Sequence, residues 1–383
     1  MTEGSVDPVP LFRIDWTAEE VGNAVDSITR GSYWANGPYV DEFESLLAET
    51  MGVEHAVVFN SGTSALVGAL EGCDIGPGDE VIVPSFTFIA TANAVEAVGA
   101  TPVFAEIDRD RYALDPDDVA DRITDSTAAI MPIHYAGIPC RIEALRELAR
   151  DHDLTLIEDA AEAQGATVNG APVGTAGDAG VLSFCQNKVI TTGEGGAVVT
   201  DDDELAARLE QFRSHGRVSG EYFDSADTGE YVSLGFNLRM PDVVAGIGVA
   251  QIERIDDIIA RRREVATDLN DRLATLDHVH PPAEPPDGRN VYQLYTVRFD
   301  PAIDRDRVID ELAERGIASK VYFDPVHLTQ YYRDQYGYTA GELPRTEAIS
   351  EQVLSLPMHP SLSRHERDRI VTALEEALDA CGR

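Results

Sequence analysis

At 383 residues and 43% hydrophobic, the chain is long enough for two domains, or one large and one smaller, around a sizeable core. Its 68 acidic against 30 basic residues give a net charge of −38, which repels a phosphate backbone and argues against nucleic-acid binding. No apolar run approaches the ~20 residues of a membrane span, and four cysteines without a CxxC pair read as reduced thiols in a cytoplasmic protein.

Met1–Trp16 is polar and proline-bearing, unlike a secretory signal. Thr17-Ala18-Glu19-Glu20 is a capping box, and Gly31 closes the helix it predicts. From about residue 55, short apolar runs alternate with helical patterns. Strands are predicted at 55–59, 80–84, 102–106, 128–134 and 154–158, with helices at 62–71, 88–98, 115–122 and 140–151. Strands at 180–184 and 196–200 follow. Such alternation predicts an α/β fold, a mostly parallel central sheet with helices on both faces. After about residue 245 come long charged helices over 242–275, a proline-rich stretch at 281–286, a strand at 291–298, a helix at 304–315, a strand at 318–323 and a helix at 363–380. The expected division is a large domain with an N-terminal arm, residues 1–250, and a small C-terminal α/β domain, residues 251–383.

The acidic residues are spread along the whole chain rather than gathered in a tail. Spread acid with little lysine reads as a halophilic surface, adapted to high salt where screening removes most self-repulsion. The plainer alternative is an acidic protein with arginine-rich usage. Only two lysines, Lys188 and Lys320, stand beside 28 arginines. Arginine replaces lysine as a surface charge but forms no Schiff base, so a lysine kept beside the glycine-rich run Thr191-Thr192-Gly193-Glu194-Gly195-Gly196 points to covalent chemistry on a carbonyl.

Two other segments carry chemistry. Asn60-Ser61-Gly62-Thr63-Ser64-Ala65-Leu66 follows a strand and opens a helix; small residues and a helix N-terminus suit a phosphate, although an ordinary capped turn reads the same way. Leu156 to Gly165 ends an apolar strand in carboxylates. A buried Asp159 there needs a cation, which a protonated pyridine nitrogen or an arginine supplies. Together with Lys188 these read as a pyridoxal phosphate site: an anion cradle, an acid for the ring nitrogen and a lysine for the aldehyde. A freed lysine also serves as a general base. No metal site is expected.

With Gly37 to Glu44, Val83 to Ala94, Gly99 to Phe104, Ser183 to Gly196, Gly235 to Met240 and Leu356 to Pro360, these motifs span nearly the whole chain. In that order they resemble the sugar-nucleotide aminotransferases of the DegT/DnrJ/StrS group, within fold type I of the pyridoxal phosphate enzymes. The resemblance implies that Lys188 forms the Schiff base, Asp159 pairs with the ring nitrogen and Phe88 stacks on the ring. It implies that Gly62, Thr63 and Ser183 hold the phosphate, and that Asn237 reaches it from a second subunit, giving a homodimer with shared active sites. It places Glu162 near the cofactor's phenolic oxygen or turned toward the substrate. Asp324-Pro325-Val326-His327 resembles a segment near the sugar, and Arg239 suits a diphosphate, with packing and an ion pair as the respective structural alternatives. His134 ends a strand, in a structural or a substrate-side role.

The implied activity is amination of a nucleotide-linked keto sugar, with L-glutamate as donor and no nucleic-acid or membrane partner. The 85–93 and 187–196 segments look most like members acting on 4-keto sugars, such as the perosamine synthases. A dehydratase branch carries histidine at the lysine position, which Lys188 opposes. A non-catalytic protein retaining the fold would lose Lys188 or Asp159. A nicotinamide-dependent dehydrogenase lacks its GxGxxG motif here.

Overall fold

The computed structural model describes residues 7–218 and 229–381, so the start of the Met1–Trp16 stretch lies outside the described residues. The arm leads to α1 (Ala18–Arg30), α2 (Pro38–Met51), β1 (His55–Phe59), α3 (Gly62–Gly72), β2 (Glu80–Pro84) and α4 (Ala90–Ala97). Then come β3 (Thr101–Ala105), α5 (Pro116–Arg122), β4 (Thr127–Ile130), α6 (Ile142–Asp151) and β5 (Thr155–Asp159). A small hairpin, β6 (Thr167–Val168) and β7 (Ala171–Pro172), precedes β8 (Ala179–Ser183), β9 (Gly196–Thr200), α7 (Asp203–Arg213), α8 (Asp242–Ile252) and α9 (Ile255–Leu273). The C-terminal part holds β10 (Val279–His280), β11 (Gly288–Arg289), β12 (Tyr295–Phe299), α10 (Arg305–Glu314), α11 (Gln330–Tyr336), α12 (Pro344–Gln352), β13 (Val353–Leu356) and α13 (Arg364–Cys381).

Seven strands form one sheet in the order β1-β9-β8-β5-β4-β2-β3. From β8 to β3 every pairing is parallel, while β9 runs antiparallel to both β1 and β8. The 184–195 link carries no helix, and a parallel return needs a crossover; β9 therefore comes straight back. Its loop, with Lys188, hangs at the carboxyl edge of β8. Strands β8 and β9 are buried throughout, so their apolar runs do not alternate. One core cluster, including Phe43, Ile130 and Phe184, and a second, including Phe59, Leu70 and Val181, hold the helices against the sheet. A third packs β12 and β13 with α9, α10 and α13 through Leu269, Val297, Leu312 and Leu374, and Val9 of the arm joins it.

The parallel sheet and its flanking helices follow the sequence pattern, with differences at the edges. The 318–323 segment forms only one bridge, Lys320 to Ser355; Tyr135 Oη donates to the Tyr322 carbonyl, so that backbone acceptor is taken by a side chain instead of a ladder. The strand expected at 291–298 begins at Tyr295. The 242–275 stretch is two helices, because Arg254 between them leaves helical geometry while its guanidinium pairs with Asp15 and Glu20. Helix α2, opened by Pro38 after Gly37, was not among the predicted elements.

That guanidinium is part of a clamp on the arm. Asp15 pairs with Arg254 at 3.0 Å and Arg261 at 2.7 Å. Glu20 closes the predicted capping box on Thr17 and also meets Arg254 and the Gln251 amide, each at 2.6 Å. Burial pushes the Glu20 carboxyl up, but the bonds from Thr17, its own backbone amide and Gln251 outweigh it and hold the group at about 2. Its folded value lies below the ordinary 4.5, so the contribution is present above that pH and is lost as pH falls toward about 2. Hydrogen exchange, corrected for intrinsic rates, should show the Thr17 amide, which donates to Glu20 Oε2 at 2.7 Å, losing protection across that window. In Glu20→Ala that amide should already be less protected at neutral pH.

Candidate active site

The carboxyl ends of β1, β2, β5 and β8 open onto a cleft of about 530 Å³ lined by Ser61, Gly62, Thr63, Phe88, Thr91, Asp159, Glu162, Ser183 and Lys188, with further residues from the arm and the C-terminal part. This is the edge of an α/β sheet where ligands bind. The first amides of a helix have no intrahelical partner. Ser61 Oγ accepts from the Ser64 amide at 3.0 Å, leaving those of Gly62 and Thr63 for a ligand. Gly62 is required by packing, since a Cβ there would lie 2.9 Å from Ser183 Cβ.

Asp159 ends β5 and is buried. Thr91 Oγ1 donates to its Oδ2 at 2.8 Å and the Ala161 amide to its Oδ1 at 3.2 Å. Burial raises its carboxyl against the pull of these bonds and of Lys188. Lys188 Nζ lies 3.2 Å from Glu162 Oε1, and the Ala136 amide donates to Glu162 Oε2 at 2.9 Å. Glu162 therefore aims the lysine rather than standing alone in the cleft. Behind this shell lies the buried pair His134–Glu158, Nε2 to Oε2 at 2.8 Å. The Cys140 amide donates to His134 Nδ1, so the ring proton sits on Nε2. Glu158 also takes the amides of Gly174, Ala176 and Gly177. The His134 amide bonds the Asp159 carbonyl, so the pair buttresses the strand end that presents Asp159.

Two expected residues, His327 and Arg239, are placed elsewhere, and Asn237, expected to act in a second subunit's site, does not line this one. His327 is buried, with Ser85 Oγ 2.7 Å from Nδ1 and Glu347 Oε1 3.2 Å from Nε2. Both ring nitrogens are engaged, and burial pushes the imidazole's pKa down; it stands outside the cleft lining. Arg239 Nη1 donates to Ser214 Oγ at 3.0 Å, and Asn237 is exposed; neither lines the cleft of this chain. Conversely, the cleft includes Phe12, Thr91, Lys320, Tyr322 and Phe323, which motif reading did not assign. Thr91 lay inside a quoted motif, and Lys320 carried the same rarity as Lys188. Phe12 had no sequence signal.

These residues fit a planar cofactor with an anionic phosphate, a protonated ring nitrogen and an aldehyde. The buried Asp159 has no cation in ion-pair contact among the described residues, the α3 amides face the cleft, and Lys188 reaches it. A family-wide profile described as DegT/DnrJ/EryC1/StrS aminotransferase family matches residues 16–375. The chain belongs to this family. A GDP-perosamine synthase of Caulobacter vibrioides is 41% identical over 345 residues, 89% of this chain and 91% of the relative. DesV of S. venezuelae, solved with a ketimine intermediate, matches with a TM-score of 0.90 at 38% identity, over 97% of this chain and 98% of its own. Spr1654 of Streptococcus pneumoniae, solved in a PLP-form, matches at 0.91 and 29% identity, over 98% and 99%.

The start of α3 in this aminotransferase lies against β9. A Cβ at Gly196 would sit 2.5 Å from the Ser61 carbonyl and 2.6 Å from the Gly62 amide nitrogen. Gly196→Ala should cost about 1–3 kcal/mol, as overpacking does, read as a lower denaturant midpoint. Added inorganic phosphate should stabilise that variant less than it stabilises the parent protein.

Proposed function

We propose that this aminotransferase converts a nucleotide-linked 4-keto sugar to the amino sugar, with pyridoxal phosphate as cofactor and L-glutamate as donor. The observation that carries the reading is one cleft holding Lys188, Asp159 and the α3 amides. The GDP-perosamine synthase relative supports the substrate class, and the PLP-form of Spr1654 supports the cofactor. When bound, pyridoxal phosphate supplies an aldehyde that takes up an amine and a protonated ring that draws electrons from the substrate carbon. The Gly62 and Thr63 amides with the Ser183 hydroxyl would hold its phosphate, Asp159 would keep the proton on its ring nitrogen, and Phe88 would pack on the ring. Lys188 Nζ moves the proton at the substrate carbon, aimed by Glu162.

The same reading makes the active form a homodimer. Asn237 belongs to an exposed run with Tyr231, Val232, Leu234 and Phe236, which supports a reach to a second subunit's site. On α1, Val21, Val25 and Ile28 expose one apolar face, flanked by Trp16 and Trp34. It also keeps the division near residue 250, supported by the separate C-terminal core, and the high-salt surface, supported by the net charge.

Borohydride reduction of the loaded protein should leave a cofactor mass increment on the Lys188 peptide. Lys188→Ala should lose the increment and about 10²-fold or more of the activity; an unchanged increment would overturn the reading. GDP-, UDP- and dTDP-linked 4-keto and 3-keto hexoses, offered with glutamate at low and molar salt, identify the substrate and the salt requirement.

Asp159 gives a stability readout of opposite sign. Its carboxyl is raised by burial, so the cofactor-free protein loses stability as pH rises through that raised value. Asp159→Asn should therefore raise the melting temperature of cofactor-free protein near neutral pH. It should also shrink the further rise that pyridoxal phosphate gives.

A further inference from the structure

The two lysines of the chain, 132 positions apart in sequence, line the same cleft. Among the described residues no arginine or histidine lines it, so Lys188 and Lys320 are its only side-chain cations. Lys188 is held by Glu162. Lys320 has no carboxylate partner among the described residues, in a chain with 68 acidic side chains.

Its backbone is fixed to β13: the Lys320 amide donates to the Ser355 carbonyl at 3.1 Å, and the Ser355 amide donates back at 2.9 Å. Its Nζ sits 4.8 Å from the centroid of the Tyr322 ring, which supports a cation from its face. The result is a charge on a flexible stem, its backbone bridged to β13 and left without a carboxylate partner among the described residues.

We propose that Lys320 binds a substrate oxyanion, either the carboxylate of the amino donor or the diphosphate of the nucleotide sugar. This rests on the proposed function, in which two anionic substrates use one cleft in turn. An ammonium on four methylenes can follow either anion, whereas a guanidinium demands a fixed planar partner. The need for that reach accounts for lysine surviving at 320 where the rest of the chain uses arginine.

The test uses holoenzyme carrying Lys320→Met, which keeps the stem over Tyr322 and removes the charge, with Lys320→Arg as the charge-retaining variant and Lys320→Gln should the methionine form fold poorly. Titration calorimetry measures binding of glutarate, an unreactive dicarboxylate, and separately of GDP and UDP. Loss of one charge-assisted hydrogen bond weakens binding about 10- to 100-fold. A shift of that size for glutarate, with a matching rise in KM for glutamate and little change in kcat, assigns the donor carboxylate. The same shift for the nucleoside diphosphates, with KM rising for the sugar nucleotide, assigns the diphosphate. Lys320→Arg, which keeps the charge but not the reach, should recover only part of either loss. Unchanged affinity for both probes in the methionine or glutamine form overturns the proposal. Failure of the parent protein to transaminate any sugar nucleotide would count against the proposed function instead, because the binding arms read Lys320 without turnover.

Discussion

A carboxylate buried at the end of a strand is the constraint on which the site depends. Asp159 is buried, and its hydrogen bonds come from a neutral hydroxyl and an amide. Such a group is costly to ionise without a cation. The surrounding structure keeps it in place regardless: Thr87 supports Thr91, Thr91 donates to Asp159, and the His134–Glu158 pair holds the neighbouring backbone. The chain thus maintains a destabilised acid, and under the proposed function its cost falls when a positively charged ring nitrogen arrives, which would link stability to cofactor affinity through one oxygen pair.

Sheet topology places the other half of the chemistry opposite that acid. Because β9 returns antiparallel, the 184–195 loop stays at the carboxyl edge of β8 instead of crossing a sheet face. Strands β5 and β8 are hydrogen-bonded neighbours, so Asp159 and the lysine loop open onto one cleft although 29 positions separate Asp159 from Lys188. Glycine enters the argument where backbones touch: Gly196 and Gly62 let the start of α3 lie against β9 and Ser183, which holds the phosphate-sized cradle at the same edge.

The sheet was legible in the sequence because strands buried on both faces write continuous apolar runs, and His55–Phe59 and Gly196–Thr200 match their predicted bounds. Asp159 and Gly62 stood out because each sits at or just past a strand end where small or polar residues begin, and Lys188 because lysine is so rare beside a glycine-rich run. His327 was misleading for a physical reason. A histidine with Ser85 and Glu347 on its two nitrogens carries the same local sequence as one facing a ligand, and only the 242-residue separation from Ser85 tells them apart. Phe12 and Tyr322 reach the cleft through tertiary packing of the arm and the C-terminal part, for which no local periodicity exists. The 318–323 segment reads as a strand, yet strand propensity counts for little where a tyrosine hydroxyl claims the carbonyl.

Lysine usage separates surface from chemistry in a way arginine usage does not. On a surface with 68 acids, arginine supplies nearly all the counter-charge, and its fork makes the ion pairs that tie the arm and helices together, as at Arg254, Arg261 and Arg315. A guanidinium in the cleft would seek the same fixed pairing and lock onto Glu162 or Asp159. An ammonium at 188 is held by one oxygen at 3.2 Å and can give up its proton. An ammonium at 320 rests on an aromatic face, which leaves its hydrogen-bond donors unspent. The two positions that kept lysine both line the cleft, where a guanidinium would bring a fixed, permanently charged fork.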